Sequence, residues 1–252
     1  MEEILLYFAL KYEGQFDKIF KALERKEKVD ENLKKELMAR LSSHYTTIVS
    51  SDYPSSLKQI NCPPFVLFYH GKLSVLDHHC IGVIGMRKPS EYGIYATNKL
   101  VKDLADLDYT IVSGMALGID GIAHRCALHN KAKSVAVLGG GIDYIYPKGN
   151  SDIYNIMKSD HLVISEYPYD LMPSKDGFPK RNRIIAGLSE RLLVTEANEK
   201  SGTMITVGFA LEQGKDIFAV PGRIDDAPGC NLLIQQGAKL IRSVDDILEE
   251  VY

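Results

Sequence analysis

The chain contains 252 residues, of which 45% are hydrophobic and 25% charged, so it can bury a substantial core and is not disordered throughout. Its formal net charge of −3 excludes the strong overall basicity that is typical of nucleic-acid-binding domains. Since no apolar run approaches a membrane span and the acidic N-terminus lacks the features of a signal peptide, we expect a cytoplasmic protein without membrane contacts.

The first 45 residues predict a small helical region at the N-terminus. Apolar residues recur there at helical spacing, with charged residues between them: Ile4, Leu5 and Phe8, then Leu33, Leu37, Met38 and Leu41. Residues 46–80 hold three of the ten prolines and one short apolar strand. This second stretch is typical of a connector that lies along a larger domain.

From Ile81 onward, short apolar runs alternate with helical stretches. The runs cover residues 81–86, 109–114, 134–140, 161–166, 191–197, 216–221 and 238–242. Most are continuously apolar, so helices are expected to cover both faces of the sheet that they form. The pattern therefore predicts an α/β domain over residues 81–252 with a mainly parallel sheet.

The C-terminal ends of parallel strands share one edge of the sheet, and such folds bind ligands there. Glycines are concentrated at this edge: Gly85, Gly114, Gly118, Gly139, Gly140, Gly141 and Gly202. Glycine lets backbone amides crowd around an anion, although tight turns also require it. The four cysteines are widely spaced and lack metal-ligand patterns, so we expect no metal and no other cofactor.

The loop "VIGMRKPSEYG" places Arg87 just after a strand and before a helix whose N-cap candidate is Ser90. A guanidinium group at this edge suits a phosphate, and the alternative is an ion pair with a neighbouring loop. The loop "VLGGGIDYIYPKGN" is not a dinucleotide fingerprint, because Tyr144 stands where the last glycine would be. Lys148 lies on an exposed turn near the same edge, and we include it among the residues expected to bind the ligand, although by itself it would be read as a solvated lysine.

The stretch "FPKRNRIIAGL" contains a dense group of cations, Lys180, Arg181 and Arg183, around Asn182. A helix that begins after Pro179 would carry these cations at its positive end, which disfavours them by about 0.3–1 kcal/mol each unless an anion binds. Lys175 and Phe178 precede the group. Basic residues beside an exposed aromatic suit a strand of nucleic acid. The alternative is that Phe178 staples the helix start and that the cations are solvated or paired with Asp or Glu.

A second anion site is predicted where Ser201, Gly202 and Thr203 open a helix, although Ser or Thr capping would also explain them. Catalytic motifs are lacking: there is no G-x-S-x-G turn and no H-E-x-x-H. Glu166 and Glu196 end strands at the ligand edge and could be catalytic, but no partner that would adjust their pKa for catalysis is evident. We therefore expect a protein that binds anions and is not an enzyme.

With these segments in order, the sequence resembles the DNA processing protein A family, also called DprA or Smf, from about Asp52 to Arg242. The motifs that carry the likeness include "VIGMRKPSEYG", "VSGMALGIDGIAH", "FPKRNRIIAGLSE" and "EANEKSGTMIT". The resemblance implies an extended Rossmann-like domain that binds single-stranded DNA, and double-stranded DNA more weakly. It also implies protection of incoming DNA, loading of the RecA recombinase during natural transformation, and a homodimer formed through residues 231–241.

The resemblance also implies roles for individual residues. Arg87 and Lys175 would contact phosphates, Phe178 would stack on a base, and the Arg181-Asn182-Arg183 motif would line the same groove. Met86 departs from the serine or threonine usual in the family. The end at Tyr252 predicts that the winged-helix domain of many members is missing, and the N-terminal helices are shorter than usual.

Two alternatives stay open. The first is a nucleotide-cleaving enzyme that resembles the lysine-decarboxylase-like phosphoribohydrolases, but Thr206 stands where their signature glutamate would be. The second is a sensor of a small nucleotide messenger. Saturation by a mononucleotide, with little dependence on DNA length, would distinguish that sensor from a DNA-binding protein.

Overall fold

The computed structural model describes residues 1–224 and 228–249. In this part of the chain ten α-helices are formed: α1 (Glu2–Lys11), α2 (Phe16–Glu24), α3 (Glu31–Ala39), α4 (Glu91–Asp106), α5 (Ile119–His129), α6 (Ser151–Asp160), α7 (Gly177–Leu188), α8 (Gly202–Glu212), α9 (Gly229–Gln235) and α10 (Asp245–Leu248). None of the described helices combines the length and the apolar composition that crossing a lipid bilayer requires.

Nine strands form a single sheet: β1 (His44–Thr47), β2 (Val66–Gly71), β3 (Cys80–Gly85), β4 (Thr110–Ser113), β5 (Ser134–Val137), β6 (Leu162–Ser165), β7 (Arg191–Glu196), β8 (Asp216–Ala219) and β9 (Lys239–Leu240). Their order is β1-β2-β6-β5-β4-β3-β7-β8-β9. The seven strands β6-β5-β4-β3-β7-β8-β9 pair in parallel along this order. The pairs β1–β2 and β2–β6 are antiparallel. The predicted α/β class with a mainly parallel sheet is confirmed.

Successive residues of the central strands point to opposite faces of the sheet, so the continuous apolar runs supply two cores. In β3, Val83 packs with α4 and α5 on one face, whereas Ile84 packs with α7 and α8 on the other. In β4, Ile111 and Val112 divide between the two faces in the same way. The helices therefore cover both faces, as the apolar runs predict.

The first N-terminal helix, α1, is more deeply buried than an amphipathic appendage would be. Every residue of α1 from Leu5 to Leu10 is buried, and the helix shares a core with Phe68 of β2 and Ala136 of β5. Strand β1 and the single strand expected in the connector, β2, both extend the main sheet. The division into domains at 1–45, 46–80 and 81–252 stays a prediction, and residues 250–252 of the last range lie outside the described residues.

The direction of the chain through the sheet reverses at β3. From β3 the chain adds β4, β5 and β6 on one side, and it then crosses back to place β7, β8 and β9 on the other side. In doubly wound sheets ligands bind in the crevice outside the C-terminal ends of the strands at such a reversal. The loops after β3 and β7 are thus expected to flank a ligand site.

Candidate functional site

An open groove of about 740 Å³ lies at this reversal, and we call it the switch-point groove. Its walls are the loop after β3, the loop after β7 and the first turns of α7. It brings together most of the site residues predicted from the sequence: Arg87, Lys175, Phe178, Arg181, Asn182, Ser201, Gly202 and Thr203. It also contains Lys88, which the sequence reasoning missed although it follows Arg87 directly.

Three exposed cations line the groove, namely Arg87, Lys88 and Lys175. Within residues 1–224 and 228–249, none of the three forms an ion pair. Among the described residues of the groove wall, Asp120 is the only acid, and it is buried beneath the surface. The groove therefore carries an excess of positive charge that the described protein groups do not neutralise.

The half-buried ring of Phe178 lies in the same wall. The guanidinium carbon of Arg87 is 5.7 Å from the ring centroid. A Cβ atom on Gly139 would come within 2.8 Å of Cδ1 of Phe178, so the ring rests against the backbone of that glycine. The aromatic and the cation predicted for one site are thus adjacent in space.

The N-terminus of α4 is closed to an external anion by one of the protein's own carboxylates. Ser90 is the predicted N-cap, and its Oγ accepts a hydrogen bond from the amide of Gly93 at 3.1 Å. Glu196 accepts hydrogen bonds from the Ser90 amide at 2.8 Å and from its Oγ at 2.6 Å. Glu196 is the last residue of β7, and its buried carboxylate thus stabilises the start of α4.

The N-terminus of α8 is different, because no side chain caps it. Ser201 occupies the N-cap position, but its Oγ donates backward to the carbonyl of Asn198 at 2.8 Å. The hydroxyl of Thr203 donates to the carbonyl of Gly85 at 3.0 Å. The expectation that Ser or Thr caps this helix is therefore wrong. A Cβ on Gly202 would meet no atom within 4 Å, so the amide-rich helix end opens into the groove.

The expectation of a helix that begins after Pro179 is also wrong, because α7 begins at Gly177. Pro179 lies within the first turn, where its missing N–H breaks no intrahelical bond. Arg181 is consequently one full turn into the helix and 95% buried. Its Nη1 donates to the carbonyls of Gly114 and Val137, which ties the ends of β4 and β5 to α7. Desolvation lowers the pKa of Arg181 to about 10, although Asp120 opposes this shift.

Arg183 lies outside the switch-point groove. Its Nη2 is 2.7 Å from Oε1 of Glu166, and both side chains are buried. Its remaining donors bond the carbonyls of Cys62 at 3.0 Å and Lys180 at 2.7 Å. Burial raises the pKa of Glu166, and Arg183 opposes that shift. The expectation of uncompensated cations at the start of α7 is therefore wrong for Arg183, and the carboxylate of Glu166 is used in this pair.

Gly114 has a different role from the anion-binding amide that we expected. Its amide donates to Oδ2 of Asp120 at 3.2 Å. A Cβ at this position would lie 2.5 Å from Nη1 of Arg181, so glycine makes room for the buried guanidinium. His124, one turn after Asp120, contacts the hydroxyl of Ser134 at 2.8 Å in the core. These residues support the floor of the groove.

Two predicted lysines lie outside the switch-point groove. Lys148 is exposed in a short 3₁₀ turn over Lys148–Asn150. Lys180 lines a separate groove beside α2. The other charged side chains exposed in that second groove, apart from the Arg183–Glu166 pair, are Lys18, Lys21, Glu13, Asp17 and Asp176. Because acids and lysines balance there, the second groove lacks the positive excess of the first.

The chain matches the sequence profile of the family described as DNA recombination-mediator protein A over residues 44–252. It is 45% identical over 207 residues to DNA processing protein DprA of Bacillus subtilis, which covers 81% of this chain and 70% of the relative. It is 44% identical over 206 residues to the DprA protein of Streptococcus pneumoniae, which covers 81% of this chain and 73% of the relative.

Solved structures of DprA proteins are also similar to this chain. The X-ray structure of DprA from Streptococcus pneumoniae superposes with a TM-score of 0.84 at 37% identity and covers 99% of this chain and 93% of that one. DprA from Helicobacter pylori, whose structure was described for its single-stranded DNA binding mode, gives a TM-score of 0.76 at 31% identity, with 83% of this chain and 96% of that chain covered.

Proposed function

Because this chain belongs to the DNA recombination-mediator protein A family and is a DNA processing protein, we propose that it binds single-stranded DNA in the switch-point groove. The observation that carries the proposal is the set of three exposed, unpaired cations beside an aromatic ring and an uncapped helix end. A polyanion with stackable bases is the ligand that satisfies all three features together.

In this proposal Arg87, Lys88 and Lys175 bind the phosphates, and the free amides of α8 donate hydrogen bonds to one further phosphate. The planar fork of the Arg87 guanidinium suits bidentate contact with phosphate oxygens. Arg181 and Asn182 line the groove, but Arg181 is buried and its Nη1 bonds two backbone carbonyls, so we assign it to positioning of the wall. Arg183 then influences binding only through the stability of α7.

Phe178 provides the ring face for a base. Stacking of one base on an aromatic side chain contributes about 1–3 kcal/mol and tolerates any base sequence. Phe178→Ala should therefore weaken binding roughly 10-fold without changing its salt dependence. Phe20→Ala is the matched control, because Phe20 is 51% exposed on α2 and lies outside the switch-point groove. Equal affinity of the two variants would remove Phe178 from the proposal.

Beyond strand binding, we propose that the protein protects incoming DNA, loads the RecA recombinase during natural transformation, and binds double-stranded DNA more weakly. This part rests on the family relationship. We also propose a homodimer through residues 231–241. Its support is that β9 is the edge strand of the sheet and that Leu240 is 44% exposed there. Contact with a second copy would remove this apolar side chain from water.

A nucleotide-cleaving enzyme is the alternative, and the environment of the strand-end carboxylates disfavours it. Glu166 forms an ion pair with Arg183, and the carboxylate of Glu196 accepts hydrogen bonds from the amide and the hydroxyl of Ser90. Neither lines the switch-point groove. A general acid or base must lie within hydrogen-bond reach of the reacting group, so these two carboxylates do not supply one in that groove.

Fluorescence anisotropy with labelled oligothymidylates of increasing length tests the proposal. We expect affinity to rise with length until the groove is filled, to fall steeply with salt, and to be lower for a duplex of the same length. A parallel assay measures hydrolysis of nucleoside monophosphates. Saturation by thymidine monophosphate, independence of salt, or turnover of a monophosphate would each contradict strand binding as the function.

A further inference from the structure

The guanidinium of Arg87 is positioned by its backbone. Within the described part of the chain, no hydrogen bond or ion pair holds the side chain, whose guanidinium carbon lies 5.7 Å from the ring centroid of Phe178. The backbone just before it is held on both sides, because the Met86 amide donates to the carbonyl of Glu196 at 2.9 Å and the Met86 carbonyl accepts from the amide of Ile119 at 3.0 Å. The direction in which Arg87 enters the switch-point groove therefore depends on the elements that support this backbone.

The loop that joins β4 to α5, residues 114–118, supports the backbone of Arg87. Its last residue, Gly118, has a φ of +78°, and a Cβ there would lie 2.2 Å from the carbonyl oxygen of Met86 and 2.6 Å from the carbonyl carbon of Arg87. The two backbones are thus in direct contact, so a shift of the loop must move Arg87. Met115 in the same loop has a φ of 58°, a left-handed conformation that residues with a side chain seldom adopt, and the loop therefore needs bonds that hold it.

Asn150 supplies two of these bonds. Its side-chain amide donates to the carbonyl of Met115 and to the carbonyl of Ala116, both at 3.0 Å, so each of its two hydrogens has an acceptor. Asp120 binds the complementary groups, since its Oδ2 accepts hydrogen bonds from the amides of Gly114 at 3.2 Å and Ala116 at 3.3 Å. One side chain thus holds carbonyls of the loop, and the other holds its amides.

The place of Asn150 in the fold allows it to hold the loop but not to touch a ligand in the groove. It is only 5% exposed and lies at the N-cap position of α6. A Cβ on Gly121 would come within 2.9 Å of Nδ2 and 3.0 Å of Oδ1, so the amide packs directly against α5. The described wall of the switch-point groove does not include Asn150. Any effect of Asn150 on strand binding must therefore pass through the loop.

We propose that Asn150 is a positioning residue for strand binding, which holds the 114–118 loop so that the loop presents Arg87 to a phosphate. The inference rests on the function proposed above, because its effect is measured as the phosphate contact of Arg87. Asn150 ends the motif "VLGGGIDYIYPKGN" and was missed in the sequence. It is uncharged, and its partners are backbone atoms 35 and 34 residues away along the chain.

The test titrates a labelled oligothymidylate with Asn150→Ala at a series of salt concentrations. We expect the slope of log affinity against log salt to move from about −2 toward about −1.4, the value expected for Arg87→Met, and the affinity to fall about 10-fold. Asn130→Ala is the matched control, because its amide also donates to a backbone carbonyl, that of Cys126 at 2.8 Å, but at the far end of α5. This control should keep the wild-type slope and affinity.

A double variant distinguishes positioning of Arg87 from a general structural role. If Asn150 acts through Arg87, then adding Asn150→Ala to Arg87→Met should change the affinity by less than about twofold. Urea unfolding shows whether each variant is folded under the assay conditions. Asn150→Ser serves if the alanine variant is not, since serine is an equally good N-cap residue but has one donor hydrogen in place of two. It should shift the slope in the same direction.

The results separate this inference from the function on which it rests. A flattened slope for Arg87→Met together with the wild-type slope for a folded Asn150 variant would overturn the positioning role and leave strand binding intact. A further 10-fold loss on adding Asn150→Ala to Arg87→Met, or an equal loss in Asn130→Ala, would also overturn it. Failure of the wild type to bind the strand would remove both proposals together.

Discussion

Replacing Arg87 by methionine should weaken binding of single-stranded DNA and flatten its salt dependence. Three exposed cations line the switch-point groove, and each neutralised phosphate of a single strand adds about −0.7 to the slope of log affinity against log salt. The wild type should therefore show a slope of about −2, and Arg87→Met a slope of about −1.4. Hydrogen bonds to a charged group contribute about 1.5–3 kcal/mol, so the affinity should fall about 10-fold or more.

The assay is an anisotropy titration of a labelled oligothymidylate at a series of salt concentrations. Lys158→Met is the control, because it removes the same charge from an exposed residue in the last turn of α6, at the opposite edge of the sheet. We expect this control to keep the wild-type slope. If Arg87→Met and Lys158→Met show the same slope, the groove cations do not neutralise phosphates and the electrostatic reasoning is refuted.

Three further predictions concern the residues that support the groove. Arg183→Met should lower the free energy of unfolding by about 3–5 kcal/mol, because it leaves the carboxylate of Glu166 buried without its partner. Burial already raises the pKa of Glu166, and loss of Arg183 should raise it further. The folded variant then binds a proton that the unfolded state releases, so the loss of unfolding free energy relative to the wild type should become smaller as the pH falls. Urea unfolding at several pH values measures this difference. Gly139→Ala places a Cβ 2.8 Å from Phe178, so the ring must move; oligothymidylate affinity should fall at an unchanged salt slope. An unchanged affinity would show that the ring position is not needed. Ser90→Ala removes the N-cap of α4 and should cost about 1 kcal/mol in urea unfolding, and a neutral result would mean that water replaces the cap.

Much of the fold was predictable because its signals are local. Each central strand is a short apolar run, and burial on both faces requires such runs whatever the order of the strands. The loop of Arg87 and the cap of Ser90 follow from residues adjacent in the chain, so both were placed correctly. The groove could be located for the same reason, since parallel strands bring their C-terminal ends to one edge.

The charges of α7 could not be assigned in this way. Residues two apart on a helix differ by about 200° around its axis, so Arg181 and Arg183 point in nearly opposite directions although they are close in sequence. One guanidinium therefore meets the ends of β4 and β5, and the other meets Glu166. A cluster of cations in the sequence is not a cluster in space.

The sequence by itself determined the parallel sheet, the edge at which we propose that a ligand binds and the local placement of Arg87, because those features depend on hydrophobic periodicity and on short loops. Only the tertiary structure decided which cations face the switch-point groove. The partner of Arg183 lies 17 residues away along the chain, beyond the end of β6, and its approach depends on how α7 packs across the sheet. Charge pairing at such separations is a property of packing, and no local pattern encodes it.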